Sequence, residues 1–220
     1  MAQAGDGKGG PPPPASALQR AAAVAVAAVR VAAPIVAAGV LLIALDPYTM
    51  AAYRAIAPRG EWAIRLAEAC RISLALPVVV VFIAVYVLLI RGERWRRLAV
   101  LAGTMLSQAL FIEVLKRVFS RPRPLELADR VAFYGPQWHA AFKSFPGGHA
   151  CAAVALATVL AALHPKGKWA FYAGALLVIW SRIHLNAHFV GDCWFGGWLG
   201  FWVARAWVNG GLTPRPVSEG

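Results

Sequence analysis

Cations, two histidines and a carboxylate gather in three short stretches of this chain: 116–124 (KRVFSRPRP), 146–149 (PGGH) and 181–192 (SRIHLNAHFVGD). Lys116, Arg123 and Arg182 bring fixed charge and forked donors, which suit the equatorial oxygens where charge accumulates during phosphoryl transfer. A neutral histidine can attack phosphorus when its other ring nitrogen donates to a carboxylate, which selects the tautomer and stabilises the developing imidazolium. His188 and Asp192 are spaced i,i+4, neighbours on one helical face. A second histidine, kept protonated by phosphate charge, can protonate the leaving oxygen and later activate water. His149 suits that role, at the head of a helix whose free backbone N–H groups also favour an anion.

The surrounding composition names the solvent for this chemistry. Of 220 residues, 60% are hydrophobic and 15% charged, with a mean hydropathy of +0.59. A soluble domain would carry about a quarter charged residues, so the bilayer is the expected partner, and ionisable groups beside such apolar runs read as functional. The net charge of +12 sits between apolar runs and not in a stripe on a polar domain. That excludes a nucleic-acid partner and favours anionic headgroups. Cys70, Cys151 and Cys193 follow no metal-ligand spacing and read as small hydrophobes, so no metal site is assigned.

Three regions are expected: a disordered Gly/Pro-rich tail at 1–16, a membrane domain at 17–210 and a short polar tail at 211–220. Six apolar runs fill the middle region, at 18–45, 72–90, 98–119, 148–163, 169–185 and 189–208. The second is uncharged between Arg71 and Arg91 and matches the roughly 20 residues that a helix needs to cross the hydrocarbon core. The stretch 54–70 reads as a short amphipathic helix at the interface. The expected fold is therefore all-α, a polytopic bundle of six transmembrane helices. Successive spans alternate direction. The end of the third, the start of the fourth, the end of the fifth and the start of the sixth then share one membrane face, which collects Lys116, Arg123, His149, Arg182, His188 and Asp192.

Neighbouring residues take supporting roles. Glu113, three before Lys116, is expected to pair with that lysine, and Arg121 to add a phosphate contact or bind headgroups. His184 reads as a structural histidine. Trp194, Trp198 and Trp202 form an i,i+4 stripe beside Gly196 and Gly200, whose spacing allows close helix contact.

These residues resemble the type 2 phosphatidic acid phosphatases, whose pattern is K-x6-R-P, then P-S-G-H, then S-R-x5-H-x3-D. Lys116 and Arg123-Pro124 fill the first block, Pro146-Gly147-Gly148-His149 the second, and Ser181-Arg182, His188 and Asp192 the third. The resemblance implies a phosphatase core built mainly from helices 3–6 and a metal-independent phosphohistidine mechanism without a cofactor. It implies nucleophile His188 oriented by Asp192, general acid His149, and Ser181 among the phosphate-binding residues. It further implies a lipid phosphate substrate, a bacterial cytoplasmic (inner) membrane location and an active site facing the periplasm or exterior. The family serine of the second block is Gly147 here, which removes one hydroxyl donor and leaves the N–H groups of Gly147 and Gly148 to approach an anion. Two alternatives stay open: a phosphotransferase with the same first half-reaction, and a catalytically weakened lipid-binding membrane protein.

Overall fold

A computed structural model describes residues 17–89, 93–124 and 132–211, so the expected tail at 1–16 and all but the first residue of the tail at 211–220 lie outside the described residues. Among the described residues seven α-helices follow in order: α1 Ala17–Ile56, α2 Glu61–Ser73, α3 Leu76–Leu89, α4 Arg94–Phe119, α5 Gly148–Leu163, α6 Lys168–His184 and α7 Val190–Gly211. Single 3-10 turns stand at Ala140–Phe142 and Pro165–Gly167. No strand occurs among the described residues beyond one isolated bridge between Arg121 and Lys143. The chain forms two units, residues 1–38 and residues 39–220. In the first, the described residues are the N-terminal part of α1; the second holds every residue of the site described below.

Two helices among the described residues, Val36–Ile56 and Arg94–Phe119, are long and apolar enough to cross a membrane. Glu61–Ser73 and Pro77–Leu89 make a third if this pair, bent by 62°, is one broken span. Helices α5 and α6, with 16 and 17 residues, fall short of the roughly 20 residues of a full crossing. The expected six spans are thus not reached by length and hydropathy alone. Two boundaries also move. The first helix continues through Asp46 and Pro47 to Ile56, because the Asp46 carboxylate is buried against donors from elsewhere in the fold and does not need water. The expected 72–90 run breaks at Leu74 and Ala75, just before Pro77, which lacks the N–H that a continuous helix would donate to the Ser73 carbonyl.

Small residues let the site-bearing helices approach. A Cβ at Gly196 would overlap the Gly147 carbonyl oxygen, and one at Gly200 the Cys151 carbonyl oxygen, so α7 packs backbone to backbone on α5. Val79, Ile83, Val100, Leu101, Ala155, Val159, Ala204 and Val208 form one core joining α3, α4, α5 and α7. Cys70, Ala153, Ala157, Ala175 and Val178 form a second between α2, α5 and α6. On α4 the opposite face leaves Leu106, Leu110, Phe111 and Val114 exposed, the surface a lipid-facing helix presents.

Candidate active site

The three sequence blocks meet at one end of this bundle. Lys116 lies in the last turn of α4. After α4 the chain turns back along residues 141–144, with the Arg123 N–H donating to the Ala141 carbonyl at 3.2 Å and the Ser144 N–H to the Arg121 carbonyl at 2.9 Å. Helix α5 then starts at Gly148 with no side-chain cap, so its first N–H groups face the site. The Lys116 ammonium reaches this point: its Nζ is 3.1 Å from where a Cβ on Gly148 would stand.

His188 sits in the turn between α6 and α7, anchored by N–H groups of Ala187 and His188 that donate to the Arg182 carbonyl at 3.0 and 3.3 Å. The ring is buried, and its Nδ1 pairs with the Ser144 backbone carbonyl at 2.7 Å. A carbonyl can only accept, so Nδ1 carries the proton and Nε2 keeps its lone pair. Burial first, then the cations Lys116, Arg182 and Arg123, hold His188 well below the ordinary imidazole value of 6.5, against the opposing pull of that carbonyl.

Asp192 does not make the bond expected of it. Its Oδ2 is 4.0 Å from His188 Nδ1, because both oxygens are already engaged. Oδ2 accepts the Ser144 hydroxyl at 2.5 Å and the Phe189 N–H at 3.0 Å, and Oδ1 accepts Arg121 Nη1 at 2.5 Å. The Phe189 contact is the reach-back of a third helical residue to the cap position, so Asp192 also caps α7. Ser144 is the shared hub, its carbonyl on His188 and its hydroxyl on Asp192. The sequence reading missed it, and no local spacing marks it.

Arg123 Nε and the Arg182 atoms Nε and Nη1 are buried without a hydrogen-bond partner. Native interiors pair such groups, so donors left open on the two cations that act on His149 and His188 have the capacity to bind an anion. His149 feels Arg182, Lys116, Arg71 and Arg123 as its neighbouring charges. Arg71, held by Glu68 at 2.5 Å, is a further cation near the site.

Four assigned roles change. Arg121 is fully buried and bound to Asp46 at 2.8 Å and to Asp192, so its charge is engaged by carboxylates and does not face a phosphate. Glu113 pairs with Arg117 at 2.8 Å and Lys143 at 2.9 Å, because Arg117 is its i,i+4 neighbour while Lys116 turns in over Gly148. The Ser181 hydroxyl donates to the Val178 carbonyl at 2.6 Å, the usual back-bond of a serine inside a helix. The Gly147 N–H donates to the Asp192 carbonyl at 2.8 Å and so is not open to an anion. His184 keeps its structural role, with Nδ1 2.8 Å from the Tyr53 hydroxyl and its ring stacked on Trp180.

Beside the head of α5 a cavity of about 200 Å³ is lined by Leu74, Gln108, Ala109, Ile112, Gly148, His149 and Ala152. A larger apolar one of about 410 Å³ between α2, α3, α5 and α6 shares Leu74 with it. Among the described residues no group of three or more His, Cys, Asp or Glu side chains is placed to hold a metal ion. A Gly148→Ala variant should push the Lys116 ammonium aside, since the new methyl stands 3.1 Å from Nζ and 3.3 Å from Ile112. It is expected to lower kcat/KM by about 10- to 100-fold, the scale on which small misplacements act, with little change in melting temperature.

A family model described as the PAP2 superfamily matches residues 97–213. The lipid A 1-phosphatase of Rhizobium etli is 33% identical over 128 residues, covering 56% of this chain and 55% of that protein. The lipid A 1-phosphatase of Rhizobium johnstonii is 31% identical over the same length, covering 56% and 52%. The chain thus spans about half the length of the curated relatives it matches. The crystal structure of the first transmembrane PAP2 type phosphatidylglycerolphosphate phosphatase, from Bacillus subtilis, shares the fold with a TM-score of 0.58 at 23% identity, covering 84% of this chain and 98% of that one. The family match runs from the first turns of α4 to the end of α7 and takes in all three sequence blocks: this chain belongs to the PAP2 superfamily.

Proposed function

We propose that this protein is an integral membrane lipid phosphate phosphatase working through a phosphohistidine at His188. The observation that carries the reading is the set of buried, unpartnered guanidinium donors on Arg123 and Arg182 beside two histidines and Lys116. In the first half-reaction His188 Nε2 attacks phosphorus, the P–O ester bond breaks, and the leaving oxygen takes a proton from His149. In the second, His149 accepts a proton from water, the water oxygen forms a bond to phosphorus, the P–N bond breaks and orthophosphate leaves. Lys116, Arg123 and Arg182 neutralise the oxygens as their charge spreads. No step in this scheme uses a metal.

The substrate class follows from the relatives. Both curated matches are lipid A 1-phosphatases, so the phosphate of a lipid A-like glycolipid is the first substrate to offer, with phosphatidylglycerophosphate second. The apolar cavity that meets the site at Leu74 suits an acyl chain. The shorter helices α5 and α6, together with α7, complete a six-span bundle in this reading, with the site at the periplasmic or external face of the cytoplasmic membrane.

The test is orthophosphate release by the purified, detergent-solubilised protein from a panel of lipid monophosphates and pyrophosphates with EDTA present. Release that persists in EDTA and needs His188 supports the proposal. Release that EDTA abolishes, or loss of lipid phosphate to a hydroxyl acceptor without free orthophosphate, contradicts it. The lowered imidazole adds a pH signature, since kcat/KM reports the groups of the free enzyme. His188 stays neutral and nucleophilic as pH falls through the ordinary imidazole range, so its acid limb is expected below pH 6.5. A pH–rate profile with that limb above 6.5 would contradict the assigned environment.

A further inference from the structure

Behind His188 lie three fully buried ionisable side chains, Asp46, Arg121 and Asp192. Arg121 Nη1 donates to Asp46 Oδ2 at 2.8 Å and to Asp192 Oδ1 at 2.5 Å, one N–H to each acid. The other Asp46 oxygen accepts the Gly191 N–H at 2.8 Å, a partner 145 positions away in sequence. The other Asp192 oxygen accepts the Ser144 hydroxyl and the Phe189 N–H. All these partners are donors, which fits two ionised carboxylates, and two carboxylates around one guanidinium leave a single net negative charge.

That charge balance bears on His188. An Arg121–Asp192 pair by itself would be neutral, and its carboxylate would do little for a positive charge developing on an imidazole 4.0 Å away. A lone acid in the apolar helix α1 is costly and in need of a reason. The hydrogen bonds alone do not supply one, since an asparagine side-chain oxygen accepts from a donor equally well. The ionised charge is what only aspartate brings.

We infer that Asp46 is a positioning residue for the phosphohistidine reaction: by sharing Arg121 it leaves Asp192 with a net negative charge beside His188, and by accepting the Gly191 N–H it fixes the first turn of α7. This rests on the reading of His188 as the nucleophile. Arg121 is held in place by more than its acids, since its guanidinium carbon lies 4.3 Å from the centre of the Phe189 ring. The signal in the sequence was a single carboxylate at the end of the first apolar run.

The experiment compares the full-length wild type with Asp46→Asn, Asp46→Glu, Arg121→Gln, the double variant Asp46→Asn/Arg121→Gln and His188→Ala. The probe is lipid A bearing its 1-phosphate, in detergent micelles, and orthophosphate release is read as separate kcat and KM values. Asp46→Asn should lower kcat by about tenfold with KM changed by less than about twofold, the scale of coupling between contacting groups. The double variant restores one net negative charge and should recover most of that loss. Asp46→Glu keeps the charge and should exceed Asp46→Asn.

Unchanged kcat in Asp46→Asn would overturn the inference alone. So would a double variant no better than Asp46→Asn, which is what a purely structural role gives, since the second substitution then adds damage. If Asp46→Asn does not fold, the comparison of Asp46→Glu with the double variant decides: near-wild-type kcat in both supports the charge role, and loss in both rejects it. Release that survives His188→Ala would bring down the nucleophile reading and this inference together.

Discussion

Replacing His188 by alanine is expected to lower kcat/KM on the order of 10⁴- to 10⁶-fold, the cost of removing the proposed nucleophile from a site that works as a unit. The size of the effect follows from its surroundings. Nε2 is the ring nitrogen left to react once Nδ1 is committed to the Ser144 carbonyl, and the nearby Ser144 hydroxyl is engaged as a donor to Asp192. Steady-state kinetics on a lipid monophosphate checks this. Lipid binding should persist in the variant, because Lys116, Arg123 and Arg182 do not depend on the ring for their positions. A loss smaller than about 100-fold would mean that another group attacks phosphorus.

The second large effect is at Arg182. Its backbone carbonyl anchors the turn that carries His188, accepting the Ala187 and His188 N–H groups, and a substitution leaves that anchor in place. Its side chain is buried, and Nε and Nη1 lack partners. Arg182→Met should therefore separate function from stability. Activity should fall by about 10³-fold, as when an arginine that stabilises phosphoryl-transfer charge is lost. Stability should rise by about 1–3 kcal/mol, since the protein sheds a desolvated, unpaired polar group. Melting curves and kinetics on the same preparation check both signs. A variant that loses activity and stability together would show Arg182 to be a packing residue.

The gathering of the candidate site residues was more legible in the sequence than the architecture that holds them. Lys116, Arg123, His149, Arg182 and His188 could be brought to one end of the bundle from motif spacing and alternating helix direction, and the structure gathers them there. Gly196 and Gly200 announced a close helix contact by their four-residue interval, and they rest on the backbone of Gly147 and Cys151.

What stayed hidden was pairing between distant segments. The His188–Asp192 interval suggested a direct bond, yet the ring's partner is the Ser144 carbonyl, a backbone group that no side-chain pattern can indicate. Glu113 has two cations within a helical turn, and local spacing did not tell which would turn inward toward α5. Asp46 was passed over because the first apolar run was ended at Leu45. A carboxylate at the edge of a hydrophobic stretch looks like the return to water, and only the donors from Arg121 and Gly191 reveal a buried acid.

The central claim is a covalent bond between phosphorus and His188 Nε2, and trapping it is the most direct test. A His149→Gln variant lacks the group that activates water in the second half-reaction. An activated aryl phosphate, whose leaving group needs little protonation, should still complete the first. The protein would be incubated with this ester, quenched in alkali, where phosphohistidine survives and phosphoserine is lost, digested and analysed by mass spectrometry. A phosphoryl group is expected on the peptide carrying His188, absent when His188 is also replaced. A turning-over wild type with no adduct in the variant, or an adduct on any other residue, would contradict it.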